Sequence, residues 1–203
     1  MRRRLTSNDI QEEEDNMEMA KTTMNRKTAG KSNTVNLVLA ALFLALGIIL
    51  PFFTGQIPTI GSMLLPMHIP VLICGFVCGW QYGLAVGFIV PLLRSMMFGM
   101  PPMPTVAVPM AFELAVYGMM TGLLYKKLPK NTVNIYVSLI GAMIGGRLVW
   151  GVIRLLMLGV VQTPFSFSMF IAGAVTTAIP GIILQIILIP LIVIALRKAN
   201  LME

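Results

Sequence analysis

Six long apolar segments follow one another along the chain, separated by short breaks rich in polar residues, Pro and Gly. A helix needs about 20 mainly apolar residues to cross a bilayer. The shortest break, Trp80-Gln81, is consistent with a tight helical hairpin, and Pro180 and Pro190 are expected kink sites in the sixth segment. The pattern predicts an all-α integral membrane bundle of six transmembrane helices, near residues 34–53, 63–80, 82–98, 105–125, 134–160 and 168–196.

Composition agrees with this membrane assignment. The 203 residues are 57% hydrophobic and only 11% charged, whereas a soluble domain has roughly 25% charged residues. Residues 1–33 are polar and of mixed charge, so they cannot bury enough apolar surface to fold alone. We therefore expect a disordered cytoplasmic tail over 1–33 and one transmembrane domain over 34–198.

The positive charges predict the orientation of the helices. The net charge is +7, with seven Lys and Arg in the tail and three more at Lys126, Lys127 and Lys130. The loops after the first, third and fifth segments contain none. Because Lys and Arg accumulate on the cytoplasmic side, both termini of the multi-pass protein are expected there. This distribution argues against a nucleic-acid partner.

Ionisable side chains inside the apolar segments are the candidate functional residues. Such groups are costly in hydrocarbon and usually face a cavity or a partner. Glu113 and Tyr117 lie one turn apart, and Trp150 shares a helix face with two of the arginines. Gln185 adds a polar group to the sixth segment. The ionisable groups are His68, Arg94, Glu113, Arg147 and Arg154.

Three arginines against one glutamate favour an anionic or strongly hydrogen-bonding solute, because a guanidinium grips carboxylate and phosphate with a planar fork. Tyr117 and Trp150 are suited to stacking on a flat ring. The loops 54–62 and 99–104 are candidate lids over such a pocket. The alternative is that Glu113 only pairs with Arg94 or Arg147 to lock the bundle.

Other polar and small residues have structural interpretations beside the functional ones. Arg154 is placed to snorkel to the headgroups, and His68, between Pro66 and Pro70, could be a packing histidine. The two cysteines, Cys74 and Cys78, fit small packing positions. Glycines at 75, 79, 83 and 87 have the spacing of close helix contacts.

The sequence lacks the patterns of a catalyst. There is no nucleophile–base pair, no paired-His zinc motif and no aspartate cluster, so we expect neither an enzyme nor a metal or cofactor. Glu113 is the one carboxylate within the segments, so a proton-coupled carrier would have to depend on it.

Two sequence features are similar to the substrate-binding S component of energy-coupling factor (ECF) transporters, the micronutrient importers of bacteria and archaea. Ala41 and Ala45 form a small-residue face that fits either internal packing or docking of another membrane subunit. The pair resembles the first-helix motif through which S components dock on a membrane T component. The stretch 63–80, followed by Tyr82-Gly-Leu-Ala-Val-Gly-Phe, resembles the second and third helices of that family. The resemblance covers residues 34–198 and implies a multi-pass protein of a prokaryotic plasma membrane.

The resemblance implies a function and a site. The chain would bind a vitamin-like substrate from outside, under loops one, three and five, and pass it on with a T component and two cytosolic ATPases. It implies binding groups at Glu113, Tyr117, Arg147, Trp150 and Gln185, supported by Arg94. The arginine surplus favours an anionic nutrient such as pantothenate, with other vitamins open. The alternative function is a self-contained secondary carrier or channel for a small organic anion.

Overall fold

The structure, a computed structural model, describes residues 17–19, 33–53, 65–157 and 179–199. Among these residues, which contain helices and no strand, six helices of eleven residues or more occur, and they correspond to the six apolar segments. They are α1 (Asn33–Phe53), α2 (His68–Cys78), α3 (Trp80–Phe98), α4 (Ala107–Lys127), α5 (Thr132–Leu156) and α6 (Ile179–Lys198). The all-α membrane bundle is confirmed.

Five of these helices are long and apolar enough to cross a membrane, and α2 is the exception. Its 11 residues span about 16 Å, roughly half of the ~30 Å hydrocarbon layer. The second apolar segment is thus helical over a shorter range than the predicted 63–80. The count of six spans and the cytoplasmic termini stay predictions.

The start of α2 follows from two prolines. Leu65 has a positive φ of 49°, and Pro66 has no N–H to donate. The His68 N–H donates to the Leu65 carbonyl at 3.0 Å, which closes a turn that leads into the helix. Pro70 is tolerated because the first turn of a helix has no internal partner for its N–H groups.

A single residue separates α2 from α3. Gly79 has φ +90° and ψ 173°, a backbone conformation that side chains disfavour, and an added Cβ would meet nothing within 4 Å. Glycine is therefore required here by the turn. The predicted tight hairpin is present, and its break lies at Gly79 rather than at Trp80-Gln81.

The other three glycines of the repeat form a seam against α4. A Cβ on Gly75 or Gly83 would strike the Gly118 carbonyl, and one on Gly87 would strike the Leu114 carbonyl. The backbones of α2 and α3 therefore both touch that of α4, as small residues permit in membrane proteins. The prediction that the glycine repeat serves packing is confirmed for these three, and it is wrong for Gly79, which serves the turn.

Contacts within the chain divide it into two units, Met1–Leu37 and Val38–Glu203. The two hydrophobic cores belong to the second unit. One core joins α2, α4, α5 and α6 around Tyr117. A second core joins α1 to α2, α3 and α4, and it buries the free Cys74 and Cys78 as predicted. The division of the chain at residue 33 stays a prediction, because the tail apart from 17–19 lies outside the described residues.

Candidate functional site

A cluster of buried polar side chains lies where α2, α4 and α5 meet. Glu113 of α4 is 1% exposed, and its Oε1 is 3.0 Å from Nη1 of Arg147 on α5. Nε2 of His68, at the start of α2, is 3.8 Å from the same oxygen and is also 1% exposed. Tyr117 lies one turn further along α4 and is also 1% exposed. We call His68, Glu113, Tyr117 and Arg147 the polar cluster.

Close helix packing places these groups together. A Cβ on Gly146 would collide with the ring of Tyr117, so α5 can approach α4 only because residue 146 is glycine. This approach brings the next residue, Arg147, to Glu113. On the other side, the rings of His68 and Tyr117 meet edge to face, with centroids 5.5 Å apart. The cluster is thus held by the fold of three helices.

The polar cluster lies beside the non-helical residues that precede the short α2. Glu113 lies six residues into α4, or about 9 Å along the helix axis. Because α2 begins at His68, the preceding residues 65–67 are non-helical, and Pro66 and Met67 are buried. Non-helical backbone at membrane depth is tolerated where it is buried in protein or lines a water-filled cavity. The residues before α2 meet this condition by being buried in protein.

The polar cluster has unused hydrogen-bonding capacity. Within the described part of the chain, Glu113 Oε1, both ring nitrogens of His68, and Nε and Nη2 of Arg147 are buried without a hydrogen-bond partner. The Arg147–Glu113 contact is therefore a close ion pair whose N–H is not aligned as a hydrogen bond. Buried polar groups are nearly always satisfied in native proteins. A bound solute would satisfy these.

Arg94 makes its described contacts with α1 and not with the polar cluster. Its Nη1 donates to the Ile48 carbonyl at 2.7 Å, and its guanidinium lies 4.8 Å from the centre of the Phe52 ring. Both contacts join α3 to α1. Of the two pairings considered for Glu113, the structure therefore contains the one with Arg147.

Arg154 contacts the start of α4 and the nearby tryptophan. Its Nη1 donates to the Thr105 carbonyl at 2.7 Å, and its guanidinium lies 5.7 Å from the Trp150 ring. Trp150 itself is one turn from Arg147. The described contacts thus bring one arginine, and not three, to Glu113, so the surplus of positive charge inferred from the sequence is not gathered there.

The sequence matches the family described as the ECF transporter, substrate-specific component, over residues 35–193. This chain belongs to that family. It is therefore a substrate-specific transporter subunit and a multi-pass protein of the prokaryotic cell membrane. No curated protein and no solved structure shows significant similarity to it.

In this S component, the alanine pair on α1 faces outward. Only 11% of α1 is buried inside the bundle, with Ala40 and Gly47 on the inward side. A Cβ on Gly47 would lie 3.0 Å from Val90. Ala41 and Ala45 are exposed, which excludes packing against the described helices as the reason for this small-residue face.

The S component has further buried polar groups on α5 and α6. Gln185 is fully buried, and neither of its amide atoms has a hydrogen-bond partner among the described residues. It lies one turn before Ile189, which packs in the same core as Tyr117. Ser138 of α5 is also buried with an unpartnered hydroxyl. Sequence reasoning missed Ser138, although its spacing from Ala142 and Gly146 indicates an inward face.

Of the two candidate lids, only 99–104 lies within the described residues. Loop 54–62 lies outside the described residues. Residues 99–104 belong to the non-helical connection 99–106 between α3 and α4. Ser95, near the end of α3, donates its hydroxyl to the Pro101 carbonyl at 2.6 Å. Across the described ranges, no group of three or more His, Cys, Asp or Glu could hold a metal ion.

Proposed function

We propose that this S component captures a vitamin-like micronutrient from outside the cell and delivers it with a membrane T component and two cytosolic ATPases. The observation that carries the proposal is the polar cluster, whose buried and unsatisfied groups lie inside a chain of this family. Glu113 would accept a hydrogen bond from the solute, and Arg147 would donate to it. His68 would offer one donor and one acceptor.

The remaining candidate residues would act around this centre. Gln185 would add a donor and an acceptor from α6, and Tyr117 and Trp150 would stack on a flat ring. Arg94 and Arg154 would act indirectly, since their described bonds hold α1 and the start of α4 in place. Loops 54–62 and 99–104 would close over the pocket.

Docking of the T component would use the outward face of α1. Small residues four apart let membrane helices approach closely, and Ala41 and Ala45 are exposed on a helix that the bundle barely covers. A T component helix packed there would bury this face without changing the polar cluster. The two surfaces are therefore separable by mutation.

Ala41→Leu combined with Ala45→Leu tests the docking proposal. The double variant should bind solute as the wild type does and should lose uptake in cells that contain the T component and ATPases. Leu42→Ala, exposed on the same helix but off the line of the two alanines, serves as the control and should retain uptake. Normal uptake by the alanine-pair variant would refute the docking face.

A self-contained secondary carrier is the competing function. It would transport solute in vesicles that contain this chain alone, and Glu113→Gln would abolish that transport. The proposed importer subunit should bind solute in such vesicles without transporting it. Mass spectrometry of small molecules that copurify with the detergent-solubilised chain identifies the solute in either case.

The structure offers pantothenate no particular support as the solute. That expectation depended on three arginines converging on one glutamate, whereas the described contacts bring Arg147 alone to Glu113. The charge of the solute is therefore set by the polar cluster and not by the number of arginines in the sequence.

A further inference from the structure

We propose that the polar cluster selects a solute with no net charge at pH 7 that presents a hydrogen-bond donor beside an acceptor, such as the amide edge of a neutral nitrogen heterocycle. This inference rests on the proposed function, because it takes the polar cluster to be the solute site.

The charges of the polar cluster are balanced, which favours an uncharged solute. Glu113 contributes one negative charge and Arg147 one positive charge, 3.0 Å apart. Among the described residues, the ionisable groups that face this pair are His68 from α2 and Tyr117 from α4. With a neutral imidazole at His68 and a neutral phenol at Tyr117, the four side chains carry no net charge. An ion added to a balanced buried pair would leave a net charge in a low-dielectric region, which is strongly unfavourable.

The unpartnered polar groups of the cluster favour a solute with a hydrogen-bond donor beside an acceptor. Arg147 directs Nη1 towards Glu113, and its other edge, made by Nε and Nη2, is buried and unpartnered. These two N–H groups point in parallel and suit an acceptor. Glu113 Oε1 has no donor, so a complementary solute must also supply an N–H or O–H next to its acceptor.

Charged solutes fit this arrangement less well. A carboxylate on the free edge of Arg147 would bring a second negative charge close to Glu113, and the two would repel each other. An ammonium group at Glu113 would meet the guanidinium of Arg147 in the same way. A neutral donor–acceptor edge satisfies both side chains and leaves their mutual attraction intact.

Fractionated yeast extract tests the inference without knowledge of the solute. The small-molecule extract is passed at pH 7 over an anion exchanger and then a cation exchanger, and each fraction is added to the purified chain in a thermal-unfolding assay. We expect the fraction that neither column retains to stabilise the protein, because a ligand that binds only the folded state raises its stability. Stabilisation by the anion-exchange eluate instead would overturn the inference while leaving solute binding intact.

Stabilisation by none of the fractions would refute the proposed binding function, and the inference with it. The two failures are thus distinguishable. Arg197→Gln, at the exposed end of α6, is the matched control and should respond to the same fraction as the wild type.

Matched pairs of compounds test the charge argument directly. The pairs are nicotinamide with nicotinate, pantothenol with pantothenate, and biotinamide with biotin, each differing in one carboxylate. For any pair that binds, the neutral member should bind the wild type at least tenfold more tightly. Glu113→Gln leaves Arg147 without its counter-charge, so it should shift the ratio of the two dissociation constants at least tenfold towards the acid. A wild-type preference for the acid, or a ratio unchanged by Glu113→Gln, would overturn the inference.

Discussion

Removing Arg147 while keeping Glu113 should destabilise the protein more than removing both charges. In Arg147→Met, the Glu113 carboxylate stays buried at 1% exposure without its cation. At a separation of 3.0 Å and an effective dielectric constant of about 20, the pair attraction is about 5 kcal/mol. Breaking a buried ion pair commonly costs about 3–5 kcal/mol, and we expect a loss of this size in the free energy of unfolding.

The double variant Arg147→Met with Glu113→Gln leaves no orphaned charge. The introduced glutamine amide would keep a polar group for Tyr117, so this variant should be more stable than Arg147→Met alone. The interaction energy from the double-mutant cycle should exceed about 2 kcal/mol, as for contacting residues in one network.

Reversible unfolding by SDS in dodecyl maltoside micelles, followed by far-UV circular dichroism, measures these free energies. Arg197→Met is the control, because its guanidinium donates to the Lys130 carbonyl at an exposed end of the bundle. It should change the stability by less than about 0.5 kcal/mol. Additive effects of the two cluster substitutions would show that the charges do not interact and would refute the ion pair.

Three further predictions concern the glycine seam, Arg94 and Gln185. Gly83→Ala should cost about 1–3 kcal/mol of unfolding free energy, because its Cβ would strike the Gly118 carbonyl; Gly141→Ala, which meets only the end of a leucine side chain, should cost less in the same assay. Arg94→Gln should lower stability through its lost bond to α1 and leave solute affinity within about twofold in a binding titration; a tenfold loss would place Arg94 in the site. Gln185→Leu should stabilise the solute-free protein, because both amide atoms are buried without partners, and should weaken binding; unchanged affinity would remove Gln185 from the site.

The long helices were predictable from sequence because a membrane span requires a long apolar segment. The glycine seam was predictable for a similar reason, since the spacing of Gly75, Gly83 and Gly87 gives one small face. The shortened α2 was harder to foresee. Pro66 and Pro70 flank its start, but the same prolines are compatible with a longer helix that is only kinked.

The composition of the polar cluster was predictable only in part. His68, Glu113 and Arg147 stood out as ionisable groups in apolar segments, and the structure brings these three together. Which arginine pairs with Glu113 depends on how each helix is rotated about its axis. That rotation is fixed by contacts such as Gly146 against Tyr117, which have no signature in a single sequence.

The pairing also changes what the site is expected to bind. Counting charges along the sequence gave three arginines to one pocket, whereas Arg94 and Arg154 donate to backbone carbonyls of α1 and of the segment before α4. A count of residue types cannot detect this, because a carbonyl partner is available at every position of the chain.

Native mass spectrometry of the detergent-solubilised chain, with the solute identified by copurification, tests the central claim most directly. We predict one solute per chain in the wild type and in Arg197→Gln, with affinity at least tenfold weaker in Arg147→Gln. The same occupancy in Arg147→Gln as in the wild type would show that the solute binds elsewhere and would contradict the assignment of the polar cluster as the binding site.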